Sequence, residues 1–79
     1  MFSETMFKEL LGSDYLNNQR RSAIIERFLV LDKRRQEILR LRFQYEYSLD
    51  RIAAKFDLTQ GRISQLISDS ITKMKHETR

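Results

Sequence analysis

The chain has no cysteine, no proline, no tryptophan and only two glycines in 79 residues. Without cysteine there is neither a disulfide framework nor a thiolate site. The one histidine, His76, stands near the C-terminus among charged neighbours, so metal chemistry is close to excluded and no cofactor is expected. No apolar run is long enough for a membrane span, and the N-terminus lacks the basic start and small-residue cleavage pattern of a signal peptide. A soluble cytoplasmic protein without a membrane partner is the expectation. No nucleophile and base pair, metal cluster or glycine-rich phosphate loop is present, which argues against an enzyme. The missing proline and scarce glycine leave helical periodicity almost uninterrupted, so the fold class is all-α, a small helical bundle. A domain of this size buries only roughly 60–65% of its unfolded surface, which leaves a thin margin of stability.

The net charge is +4, but its distribution says more than its size. Residues 20–42 carry eight Arg or Lys against Glu26, Asp32 and Glu37, a net of +5, whereas residues 1–19 sum to −2 and 43–79 to +1. Such a field favours phosphate backbones and other anionic surfaces, although basic residues on helices are often merely solvated.

Five helical segments are legible. The first, roughly Ser3 to Leu11, places Phe2, Met6, Phe7, Leu10 and Leu11 on one broad face and pairs Glu4 with Lys8. Gly12-Ser13-Asp14 ends it. The second, roughly Asn17 to Leu31, spreads Ile24, Ile25, Phe28, Leu29 and Leu31 over an arc wider than one neighbouring helix covers. The third starts near Asp32, a capping carboxylate, and runs to Phe43, with Ile38, Leu39 and Phe43 as its buried side. Arg42 projects between Ile38 and Leu39 and needs a partner, either an internal carboxylate (Glu46 or Asp50) or a DNA phosphate. Gln44-Tyr45-Glu46-Tyr47 is a turn. Tyr15, Tyr45 and Tyr47 fit gaps between helices better than a stacking platform for single strands.

The last two segments form a pattern with a specific use. Ser48 caps a short helix in which Leu49, Ile52, Ala53 and Phe56 share a face, Asp57-Leu58 is a tight turn, and Thr59 caps a helix from Gln60 to about Lys75. In that helix Ile63, Leu66, Ile67, Ile71 and Met74 recur at three and four. The opposite arc holds Gln60, Gly61, Ser64, Gln65, Ser68 and Thr72, none of them charged. This reads as a helix-turn-helix, whose second helix puts side chains into the DNA major groove. Uncharged hydrogen-bonding groups suit base edges, glutamine in particular adenine, and contribute little to phosphate attraction. The alternative for the same arc is a plain solvated face.

Leu31-Asp32-Lys33-Arg34-Arg35-Gln36-Glu37-Ile38-Leu39-Arg40-Leu41-Arg42-Phe43, followed by Ser48-Leu49-Asp50-Arg51-Ile52-Ala53 and Thr59-Gln60-Gly61-Arg62-Ile63-Ser64-Gln65-Leu66, resembles the fourth conserved region of bacterial sigma factors. The resemblance covers roughly residues 24–76. It implies a domain that reads a promoter minus-35 element through its recognition helix and docks on the beta-subunit flap of RNA polymerase. Carried over by position, Arg62 and Gln65 match recognition-helix positions where the family also has Arg and Gln, and together with the uncharged arc this makes Gln60, Gly61, Ser64, Gln65 and Ser68 the expected base-reading residues. Arg34, Arg42, Ser48, Leu49, Thr59 and Arg62 fall near phosphates, the start of the Leu49 helix being a favourable phosphate site. Contacts with polymerase or another partner are expected from Phe28, Leu29 and Ile38, and from Phe2 and Phe7 of the N-terminal segment. Three departures matter: Gln60 and Ser64 replace usual arginines and Gly61 a usual glutamate, so the standard minus-35 sequence is not implied. Gly61 weakens the helix start and allows close backbone approach, or is a neutral surface replacement.

Two units are expected, an N-terminal amphipathic extension over 1–16 and the sigma-like helix-turn-helix over 17–79. The extension is expected to fold back on the second helix or to stay exposed for a partner or a second copy. Beside these two units no promoter-melting region is expected. The reading it favours is a small sigma-like transcription regulator, working as half of a split sigma factor or as an accessory regulator, with a melting-region protein or an anti-sigma factor among its possible partners. The alternatives are a free-standing dimeric helix-turn-helix regulator, or a sigma mimic that occupies the polymerase flap or an anti-sigma factor with little DNA binding.

Overall fold

A computed structural model of the chain describes residues 3–75, and over that span the elements are helical, with no strand. They are α1 (Glu4–Leu11), a 3-10 turn (Gly12–Asp14), α2 (Asn18–Val30), α3 (Lys33–Leu39) continued by a π-turn (Arg40–Gln44), α4 (Leu49–Phe56) and α5 (Gln60–Lys75). The segments read from the sequence appear within a residue or two of these bounds, except in the third.

Each helix begins on a short polar side chain that accepts from a backbone N–H three residues on, one of the donors a helix start leaves without an internal partner. Ser3 takes Met6, Asn17 takes Arg20, Asp32 takes Arg35, Ser48 takes Arg51 and Thr59 takes Arg62, at 2.8 to 3.2 Å. With no proline and little glycine to punctuate the chain, these caps set the boundaries.

The third segment departs from the sequence reading. At Arg40 the ladder widens to i→i+5, with the Tyr45 N–H donating to the Arg40 carbonyl at 3.0 Å, and the Tyr47 N–H reaches the Leu41 carbonyl at 2.8 Å. The wider turn rotates the residues after Leu39 relative to an α-helix. Leu41 is therefore buried with Ile38 and Leu39, and Phe43, expected on the buried side, is only half-buried. Glu46 then turns the chain toward α4 with φ of 57°.

One hydrophobic cluster runs through the described residues and takes side chains from every α-helix, including Met6 and Leu10 of α1. The N-terminal helix thus shares the core of the rest. Ser3 fastens it further: its hydroxyl donates to the Phe43 carbonyl at 3.1 Å, in the π-turn where the regular ladder is broken. Arg21 of α2 braces α1 from outside. Its guanidinium lies 4.2 Å over the Phe7 ring, pairs with Glu4 at 2.8 Å and donates to the Tyr15 carbonyl. At the other end of the bundle, Arg27 donates to the Met74 carbonyl at 2.6 Å, placing a cation at the C-terminal end of α5 where the helix dipole favours it.

Candidate nucleic-acid interface

The pair α4 and α5 is pinned from inside by Ile52 and Ile63, both 0% exposed. Between the helices Asp57 adopts the left-handed conformation, φ 57° and ψ 44°, its N–H reaching back to the carbonyls of Ala53 and Ala54. Leu58 follows with an N–H bond to the Ala53 carbonyl at 2.9 Å and a half-buried side chain, and Thr59 starts α5. Aspartate tolerates this conformation better than most residues, because its short polar side chain bonds locally. The turn is tight enough to carry α5 away from the line of α4, which is what a helix-turn-helix requires.

On α5, Ile63, Leu66, Ile67, Ser70 and Met74 face inward. Ser70 escaped the sequence reading. It is 1% exposed and its hydroxyl donates to the Leu66 carbonyl at 2.7 Å, so a polar residue sits in the core with its hydrogen bond satisfied within its own helix. Ile71, counted with the inner face by spacing, is only half-buried. Gln60, Gly61, Ser64, Gln65, Ser68 and Thr72 are all exposed, together on the opposite arc. A Cβ added at Gly61 meets nothing within 4 Å, so in the free protein no crowding requires glycine there.

Two side chains on this arc have intramolecular partners. Gln60 Nε2 donates to Asp50 Oδ1 at 2.8 Å, linking the first turn of α5 to the first turn of α4. Arg62 Nη1 donates to Gln65 Oε1 at 3.4 Å, a long bond between neighbours on one face. From the sequence Asp50 is a candidate partner for Arg42 alone; a link spanning two helices has no local sequence signal.

Among the cations expected near phosphates, Arg34 and Arg62 are exposed and Arg42 is half-buried. Arg42 neither stays open for a ligand alone nor pairs with Glu46 or Asp50: Nη1 donates to the Tyr47 carbonyl at 3.0 Å, holding the connection that leads into α4. Arg51 stacks 4.0 Å over the Tyr47 ring and closes the same corner. Ser48 is exposed as the cap of α4, and the half-buried Leu49 packs against the core, so only its backbone N–H belongs to the open helix end. At the start of α3 the Arg35 backbone N–H draws the pKa of the Asp32 carboxyl down from its ordinary value; desolvation opposes this, and the Arg35 side chain and the nearby Arg34 charge add to the lowering.

The expected partner contacts need correction. Phe28, Ile38 and Phe7 are 2%, 1% and 5% exposed: they fill the core and present no surface to another protein. For Phe7 and Phe28 the apolar spacing is the same for a core face and a docking face; for Ile38 it marks the buried side of its helix, and the burial agrees with the spacing against the expected contact. Phe2 lies outside the described residues. Leu29 is 61% exposed, and beside it Val30, which the sequence reading passed over, is 84% exposed. Val30 and Leu31 border an open groove of about 940 Å³ between the end of α2, the start of α3 and the last turns of α5, with Arg27, Arg35, Thr72 and Lys73 along its walls.

Residues 27–76 match a family model described as Sigma-70, region 4. No curated protein and no solved structure matches the chain. The matched span covers α3, the π-turn, α4 and α5 with the last turn of α2, and leaves α1 outside it.

Proposed function

The chain belongs to the sigma-70 region 4 family, helix-turn-helix domains that bind DNA in the regulation of transcription, and from that premise we propose that it reads a promoter element of the minus-35 kind through α5 and docks on RNA polymerase. The observation that carries this reading is the division of α5 into a buried apolar face and an exposed arc of amide, hydroxyl and glycine positions. In this reading Gln60, Gly61, Ser64, Gln65 and Ser68 meet base edges. The bond between Arg62 and Gln65 leaves the Gln65 amino group free to donate.

Phosphates are held around this arc by Arg34 and Arg62, by the Thr59 and Ser48 caps and by the Leu49 N–H at the open end of α4, where amides and dipole together favour an anion. Arg42 keeps further N–H groups for a phosphate while it holds the Tyr47 carbonyl. Polymerase is met at the C-terminal end of α5, in the groove bordered by Val30 with the exposed Leu29 next to it in the chain, where an apolar rim and mixed charges suit an amphipathic helix of the flap. Opening of the duplex then belongs to another region or another subunit.

The test is selection of duplexes by the purified protein, followed by titration of the selected element and single-base variants. Replacing Gln65 by Ala is expected to relax preference at one or two positions at a cost of about 1–3 kcal/mol. Binding that stays indifferent to sequence in both proteins refutes base reading by α5. Core polymerase retained by the protein, and released by Val30→Asp, supports the docking surface.

A further inference from the structure

Gln60 has both a donor and an acceptor end, and nothing in a free glutamine fixes which end points where. Here the partner fixes it. A carboxylate accepts and does not donate, so the end of Gln60 that meets Asp50 Oδ1 at 2.8 Å is the amino group, and the carbonyl oxygen is the other end. We infer that Asp50 is a positioning residue for specificity: by holding the Gln60 amino group it makes Gln60 present an acceptor to DNA, so that the protein selects bases with an exocyclic amino group over bases with a keto group at that position. The inference rests on the reading of α5 as the base-reading helix and adds the chemistry of one contact.

In the major groove adenine offers N6–H and cytosine N4–H, whereas guanine and thymine turn O6 and O4 outward. A free glutamine rotates its amide to suit either kind, and its usual adenine preference comes from bonding both edges at once. Held by Asp50 through one N–H, Gln60 turns its carbonyl oxygen to the base, and at a keto group that oxygen meets a second acceptor, with only the other N–H of the amino group left to donate. The bond joins α4 to α5 through two exposed side chains at the helix starts, so both groups lie on the side of the motif that faces DNA. Asp50 also adds a negative charge beside the phosphates. That opposes affinity and is consistent with a role in selection.

The experiment uses the full chain as wild type, Asp50→Ala, Gln60→Ala and the double variant, titrated with the selected duplex and with each base pair replaced in turn. In the wild type one position is expected to favour adenine or cytosine over guanine or thymine on the strand Gln60 faces, by about fivefold, the worth of one ordinary hydrogen bond. Asp50→Ala is expected to reduce that ratio to about twofold or less, while affinity for every duplex rises as a charge leaves the phosphate-facing surface. In the Gln60→Ala background the same substitution is expected to change affinity but no ratio, a separation that a purely structural role does not give. Asp50→Asn, which keeps the size of the side chain and can either donate or accept, is expected to lose the ratio partly and serves if the alanine variant melts early. A ratio unchanged by Asp50→Ala and Asp50→Asn alike overturns the inference while leaving base reading by α5 intact. A wild type that selects no sequence overturns both.

Discussion

The N-terminal helix lies outside the family match, yet its side chains are among the most deeply buried in the protein, and Leu10→Ala measures how much the fold depends on it. Leu10 is 2% exposed and belongs to the single cluster that also contains Ile24, Phe28, Ile67 and Met74. Truncating it removes the transfer energy of the lost methyl groups and leaves a cavity that the surrounding helices close only in part, a cost of about 2–5 kcal/mol for a buried leucine. The central value is expected here, about 3 kcal/mol, because α1 is short and shifts slightly to fill the gap. A chain of this length has a total stability of roughly 4–12 kcal/mol, so the substitution takes a large fraction of it. The assay is urea unfolding followed by far-ultraviolet circular dichroism, with Leu16→Ala as control. Leu16 is 66% exposed, and its truncation is expected to change stability by about 0.5 kcal/mol or less. With a slope of about 1–2 kcal/mol per molar urea, the Leu10 variant's midpoint falls by about 1.5 M or more. A Leu10 variant that unfolds with the wild type refutes the claim that α1 shares the core. One that stays folded but loses DNA affinity per folded molecule assigns α1 a part in binding that no residue of the proposed interface gives it.

Arg34→Ala is expected to weaken binding to all duplexes alike and to lower the slope of log affinity against log salt by about 1, since a phosphate contact carries no sequence information; a loss confined to one sequence refutes the assignment. Arg42→Ala is a poorer probe of phosphate, because it also frees the Tyr47 carbonyl at the entry to α4 and its effect on binding is mixed with one on folding. Gly61→Ala is expected to stabilise the free protein by up to about 1 kcal/mol in thermal melts, the added methyl having open space around it; a loss of DNA affinity without a loss of stability then marks a close backbone approach. Asp32 has its pKa drawn down on folding, so its contribution to stability is complete above its ordinary value of 3.8 and is lost as pH falls through the lower folded one. Asp32→Asn keeps a capping side chain without the titration, and the wild type is expected to lose stability relative to it in acid unfolding below the carboxylate range; parallel curves refute the coupling.

Read locally, the sequence specified a great deal. Every helix start could be placed because a serine, threonine, asparagine or aspartate satisfies a backbone donor within its own first turn, an interaction that needs no distant partner. The inward face of α5 was legible from the spacing of Ile63, Leu66, Ile67 and Met74, and with it the uncharged outer arc. The blocks around Leu31 to Phe43 and Thr59 to Leu66 sufficed to identify the family. What periodicity left undecided was which apolar side chains a small core would claim. Spacing marks a face as apolar without saying what covers it: Phe7 and Phe28 suit a partner as well as a core, and the structure uses them inside, along with Ile38, while it leaves Leu29 and Val30 in the open.

Tertiary structure alone decided the rest. The π-turn at Arg40 to Gln44 draws in Leu41 and turns Arg42 onto the Tyr47 carbonyl, because the chain had to reach α4 and a regular helix does not end there in the right direction. Ser3 finds the Phe43 carbonyl forty residues away, Arg27 finds the end of α5, and Gln60 finds Asp50 across the turn. Each of these joins a hydrogen-bond donor to an acceptor that only folding brings within reach. Side chains bonded to their own turn are written in the order of residues, whereas those bonded across elements depend on the packing of the whole bundle.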